Sequence, residues 1–298
     1  MHMAEACRLL WRQQFTQMLL AEAGVCHSND DEYIHKMRVA IRRARVAGAL
    51  FADYFQRKAI RRFDKIMKRT GRLLGKVRDL DVAYKNLKKF QAEQPEAELT
   101  ELETHWRAVR KQARHALLAW LDSKKYTDFI AEFAHFCQTS GKGAREFAFE
   151  PGEPPTPYQV RHVMPSLLIN RFERVRCFET LFETDQAIPA SILHLLRIEC
   201  KYMRYSLEFA THLVGQEGEQ LIDALKQLQD HLGELNDANV SRALLHSLPK
   251  SVATDAVKGY ANVQSQRLDQ LRSTVVEALQ DFLGMTSRRK LAEAIVQI

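Results

Sequence analysis

The sequence predicts an all-helical fold of two four-helix-bundle-like halves with extra helices, on three observations. Only 12 Gly and 8 Pro interrupt 298 residues, so few points force the chain out of a helix. The stretches between them are rich in Ala, Leu, Glu, Gln, Lys and Arg, the residues that lose least on becoming helical. The third observation is an internal repeat. Residues 35 to 45 read His35-x-x-Arg38-x-x-x-Arg42-x-x-Arg45, and His194-x-x-Arg197-x-x-x-Lys201-x-x-Arg204 follows at an offset of 159. "LGKVRDLDV" from Leu74 returns as "LGELNDANV" from Leu232, at an offset of 158. Arg12 likewise aligns with Arg171, and Lys68 with Lys226.

In the first half, residues 1–140, helices are expected at 3–24, 31–55, 57–78 and 80–93, with further helix over 97–139. A Gly/Pro-rich connection occupies 141–158, where a helix cannot continue. In the second half, 159–298, helices are expected at 158–184, 189–213, 217–234, 237–247 and 251–283, with another near 287–297. Asp30 or Asp31 can cap the second helix, and Pro189 suits the first turn of its counterpart. Asp79 or Asp81, and Asp237 or Asn239, are candidate caps where one helix hands over to the next. Two antiparallel helical bundles facing each other would accommodate all of these.

The formal charge is +7, and it is concentrated in one place. Residues 35–90 hold 18 Lys or Arg against Asp53, Asp64, Asp79 and Asp81. Residues 159–298 hold 16 basic side chains against 17 acidic ones. A polyanionic partner should therefore meet the first half most directly. No apolar run approaches the roughly 20 residues that span a bilayer. The N-terminal "MHMAEACRLLWRQQF" lacks the charged-then-apolar order of a secretory signal. A cytoplasmic location without membrane association is the expectation. Cysteines at 7, 26, 137, 177 and 200 form no CxxC pair and have no ligand-like spacing to histidines. They read as reduced core residues, with no disulfide framework or zinc site indicated.

At 100° per residue, His35, Arg38, Arg42 and Arg45 fall within an arc of about 80°. Met37, Ala40, Ala44, Ala47 and Phe51 lie opposite and should be buried, as should Leu196, Met203, Leu207 and Ala210 behind the second motif. Arg61, Lys65, Lys68 and Arg72 form a further stripe within about 60°. Like charges so placed repel by a few tenths of a kcal/mol per pair. An external linear anion would offset that cost, and planar guanidiniums suit phosphate oxygens. The matching second-half positions, Glu219, Asp223, Lys226 and Asp230, are largely neutralised.

Asp79, Asp81 and Asp237 are read as structural or orienting acids. The alternative is that they hold Mg²⁺ against a phosphate. His35 and His194 open their stripes, where an imidazolium could add an anion contact and a neutral ring could pack and hydrogen-bond. A bound polyanion should raise the imidazole pKa.

These paired motifs resemble the CHAD family, the conserved histidine α-helical domain, over nearly the whole chain, 1–298. The resemblance implies two four-helix bundles related by a pseudo-twofold axis. It also implies binding of inorganic polyphosphate along a basic surface and association with polyphosphate granules. Carried over residue by residue, it assigns that role to His35, Arg38, Arg42 and Arg45 and to His194, Arg197, Lys201 and Arg204. Arg61, Lys65, Lys68 and Arg72 join them from charge and helical phase, with Lys226 as the second-half match of Lys68. Arg12, Arg78 and Arg171 are secondary candidates. Asn236 stands where the first half has Arg78, which makes the second-half segment a poorer anion site. Some members of the family carry a tunnel-type triphosphatase domain, but no Glu-x-Glu-x-Lys segment of that sort occurs here.

The expected function is non-enzymatic polyphosphate binding without metal or cofactor. RNA binding through the same stripes is the first alternative, although the stripes lack interleaved aromatics for base stacking. A Mg²⁺-dependent phosphohydrolase is the second, although no P-loop or HExxH segment is present.

Overall fold

The computed structural model describes residues 1–147, 151–181 and 188–298. Ten α-helices and two single 3₁₀ turns make up the regular structure of those residues, and no strand occurs among them. The helices are α1 (Met3–His27), α2 (Asp31–Leu50), α3 (Arg57–Glu93), α4 (Thr100–Leu121), α5 (Lys124–Gln138), α6 (Val160–Arg176), α7 (Ala190–Phe209), α8 (Gly215–His246), α9 (Asp255–Leu283) and α10 (Met285–Val296). The chain forms two compact units, Met1–Arg78 with Val109–Met164, and Asp79–Ala108 with Pro165–Ile298. Helices α3, α4 and α6 each contribute to both units.

Several expected boundaries need correction. The helices expected at 57–78 and 80–93 are one helix, α3, and those at 217–234 and 237–247 are one helix, α8. Leu74, Val77, Leu80, Ala83, Leu87 and Phe90 are buried at helical spacing without interruption, so burial carries the helix past Asp79 and Asp81. Leu228, Leu232, Leu235, Ala238 and Leu245 do the same past Asp237 and Asn239. None of these four polar residues is a cap. Asn239 instead donates its Nδ2 back to the Leu235 carbonyl, 3.0 Å away, as short polar side chains inside helices do.

Helix expected over 97–139 breaks at Asp122–Ser123 into α4 and α5, and α2 stops at Leu50 before a 3₁₀ turn over Ala52–Tyr54. The helix expected at 158–184 ends at Arg176, followed by a 3₁₀ turn over Glu179–Leu181; residues 182–184 lie outside the described ones. Asp30 is the N-cap of α2 and accepts from the Glu32 amide at 2.9 Å. Pro189 occupies the N-cap of α7.

In the first unit, an aromatic core of Trp11, Phe15, Phe55, Phe63, Phe129, Phe133 and Phe136 packs α1, α3 and α5 together. Trp11 Nε1 donates to the Ala44 carbonyl at 2.8 Å and so holds α1 behind α2. Gly24 lies so close to Tyr33 that a Cβ there would come within 2.1 Å of the ring. Arg8 is buried and donates to the carbonyls of Phe136 (2.6 Å) and Lys142 (2.9 Å), fixing the segment after α5.

In the second unit, Gln229 donates to the Cys200 carbonyl at 2.8 Å, joining α8 to α7. Phe90 meets Tyr260 with ring centroids 4.8 Å apart, and Phe172 meets Phe282 at 6.0 Å. The residues expected behind the two motifs are buried, from Met37 and Ala40 through Phe51 and from Leu196 through Ala210. Cys7, Cys137 and Cys200 are core residues as expected, whereas Cys26 is half-buried and Cys177 is exposed just past α6.

Candidate polyanion-binding face

In the first unit α2 and α3 run antiparallel, and four contacts set their register. Arg78 Nη1 lies 2.6 Å from Asp31 Oδ2 at one end, and Arg45 Nε lies 3.0 Å from Asp64 Oδ1 at the other. Between them, a Cβ on Gly75 would stand 3.7 Å from the Arg38 guanidinium, and one on Gly71 would stand 3.6 Å from Ile41. At both glycines, one turn apart, Arg38 and Ile41 of α2 thus lie close against the α3 backbone. The same register sets Arg42 level with Lys68 and Arg38 level with Arg72.

Arg61, Lys65, Lys68 and Arg72 are exposed along α3, while His35, Arg38, Arg42 and Arg45 are half-buried along α2. Thus α2 supplies a sheltered line of guanidiniums and α3 an outer line beside it. Burial pushes the His35 imidazole below its ordinary pKa; Arg78, Arg42 and Arg38 push it the same way, and Glu32 partly opposes them. That response places His35 within the electrostatic reach of three of the arginines.

The outer line is broader than the four residues singled out from the sequence. Arg62, Arg69 and Lys76 are exposed on the adjoining flank of α3. Arg62 pairs with Glu132 of α5 at 2.7 Å, and the Arg69 guanidinium lies 3.9 Å over the Trp120 ring of α4. Helical phase alone would have found them, since they continue the arc of the first stripe. Arg12 is exposed on α1, near Cys137 of α5; its charge partly offsets the burial that pushes that thiol up to about 12.

Asp31 holds Arg78 and Asp64 holds Arg45, two pairings across α2 and α3 that sequence reading did not assign. Asp79 and Asp237 are half-buried and Asp81 is buried, all within helices. Asp237 accepts from Asn236 Nδ2 at 3.3 Å. Among the described residues, no group of three or more His, Cys, Asp or Glu side chains is placed to hold a metal ion.

In the second unit, His194 is exposed on α7 while Arg197, Lys201 and Arg204 are half-buried. Here, as in the first unit, several cations meet acids of their own unit. Arg171 and Arg174 share Glu199 at 3.5 and 3.3 Å, Arg204 faces Glu208 at 3.6 Å, and Lys226 of α8 pairs with Asp223 at 2.8 Å. A cavity of about 190 Å³ opens between α7 and α8, with His194, Arg197, Asn236 and Asn239 on a lining otherwise of Leu, Val and Ala. No described helix is long and apolar enough to cross a membrane.

The all-helical fold with paired basic helices defines a class of α-helical domains. The chain belongs to the CHAD domain family, whose profile matches residues 9–246. Among solved structures it is similar to the crystal structure of the CHAD domain from the plant Ricinus communis, with 24% identity and a TM-score of 0.70 over 92% of this chain and 91% of that one. It is also similar to PptA from Streptomyces chartreusis, with 14% identity and a TM-score of 0.68 over 94% of this chain and 98% of that one. At these identities the likeness is one of fold. No curated protein matches the sequence significantly.

Proposed function

We propose that the chain binds inorganic polyphosphate without acting on it, along the basic α2–α3 face, and thereby associates with polyphosphate granules in the cytoplasm. One observation carries this reading. Exposed Arg61, Lys65, Lys68 and Arg72 stand in register beside half-buried Arg38 and Arg42, so like charges are gathered where a linear anion can neutralise them together. Association of the CHAD family with polyphosphate supports the choice of ligand.

The reading includes a duplicated unit, 1–140 and 159–298, joined by 141–158. Helix starts support it: α2 begins at Asp31 and α7 at Ala190, 159 positions on, while α3 begins at Arg57 and α8 at Gly215, 158 positions on. The first half carries the greater share of binding. In the second, the positions matching Arg61, Lys65, Lys68 and Arg72 read Glu219, Asp223, Lys226 and Asp230, and Lys226 is paired with Asp223.

Isothermal titration with polyphosphate of defined length at two salt concentrations tests the reading. Affinity should fall with a log–log slope of about 0.7 per phosphate neutralised, and hence about 3 or steeper for four or more cations. Displacement of polyphosphate by single-stranded RNA at equal phosphate concentration would favour a nucleic-acid binder instead. Mg²⁺-dependent shortening of the polymer, lost in Asp79→Asn, would make the chain a hydrolase.

A further inference from the structure

Asp64 stands inside the basic stripe, with Arg61 before it and Lys65 and Lys68 after it on α3. Its carboxylate accepts from Arg45 Nε across the helix pair at 3.0 Å. Both side chains reach solvent, Arg45 at 37% exposure and Asp64 at 54%. An exposed carboxylate seated on a guanidinium has the contact a phosphate oxygen would make there. The protein therefore fills one place of its own cation array with an internal anion.

We propose that Asp64 is a specificity-determining residue of this face: an internal competitor for Arg45 that admits ligands with several adjacent negative charges and turns away small anions. The inference rests on the polyphosphate reading for its ligand. A small anion that displaces Asp64 gains one guanidinium and must then sit beside the freed carboxylate. A polymer already held by Arg42, Lys65 and Lys68 displaces it as one step among many, and loses little. The same carboxylate keeps the neighbouring cations from repelling one another in the unliganded protein. Stability without ligand and selectivity with it thus come from one side chain.

The competing physical role is that of a positioning residue, in which Asp64 aims Arg45 at the ligand. The two roles predict opposite signs, so a double-mutant cycle decides between them. Polyphosphate and inorganic tripolyphosphate are titrated into the wild-type chain, Asp64→Asn, Arg45→Ala and the double variant. Circular dichroism checks that each is folded.

As a competitor, Asp64 gives way in Asp64→Asn to binding about threefold to tenfold tighter. The salt slope steepens by about one further contact, and tripolyphosphate gains at least as much as the polymer. In the Arg45→Ala background the same change gains less than half as much. Weaker binding in Asp64→Asn would overturn the proposal in favour of positioning. Unchanged binding, or an equal gain with and without Arg45, would also overturn it. A wild-type chain that binds no polyphosphate would refute the ligand instead. The cycle then runs with single-stranded RNA as the linear anion, and Asp64 is judged on the same ratios.

Discussion

Arg78 reaches from α3 to Asp31 at the start of α2, with Nη1 and Oδ2 2.6 Å apart and the two side chains only 19% and 24% exposed. This pair closes the end of the basic face at which His35 sits, and its guanidinium is the largest charge effect on that imidazole. In the second half the aligned positions are Ala190 and Asn236, and both line the cavity between α7 and α8. Replacing Arg78 by Met should remove this cross-helix contact from the partly sheltered Asp31 and cost about 1 kcal/mol in urea unfolding. The same variant should raise the His35 pKa in an NMR titration.

Binding should be linked to protons through His35. Its folded pKa lies below the unfolded one, so the folded chain binds fewer protons near that range. Stability is then full above the ordinary histidine value and declines as pH falls through it towards the folded pKa. A polyanion laid beside Arg38 and Arg42 reverses the local field, raises the pKa and draws a proton in. Affinity for polyphosphate should therefore rise by about threefold to tenfold from pH 8 to pH 6. His35→Gln should flatten that rise, as read by titration at the two pH values.

Packing behind the face depends on Gly24. A methyl group there would collide with the Tyr33 ring at the carbon next to its Cβ, so the whole side chain must shift. Gly24→Ala should destabilise the fold by about 1–3 kcal/mol, measured by denaturant unfolding, even though alanine is the better helix former.

Thiol reactivity should separate the five cysteines. Cys177 is exposed and should react with a disulfide reagent at the rate of a free thiol, Cys26 more slowly, and Cys7, Cys137 and Cys200 only on unfolding. The half-burial of Cys26 also pushes its thiol above the ordinary value. A single fast thiol out of five is the expected count.

Much of this was legible in the sequence because it is periodic. The helical class, the faces of α2 and α7 and the residues buried behind them all follow from spacing alone. Polar residues such as Asp79 and Asn239 misled because they are good caps in isolation. Unbroken burial on α3 and α8 outweighs that local preference, and it depends on neighbours distant in the chain. The partners of Arg45 and Arg78 were hidden for a related reason. Asp64 and Asp31 lie 19 and 47 residues away, and only the register of α2 against α3 brings them near. The wider basic flank of Arg62, Arg69 and Lys76 was legible all along from helical phase.

Reversing Arg38, Arg42 and Lys68 together to glutamate, with circular dichroism to confirm an unchanged helical signal, asks whether the α2–α3 face holds a polyphosphate chain. The variant should bind polyphosphate at least about tenfold more weakly than the wild type by isothermal titration. Equal affinity in the two proteins would show that the α2–α3 face does not hold the polymer.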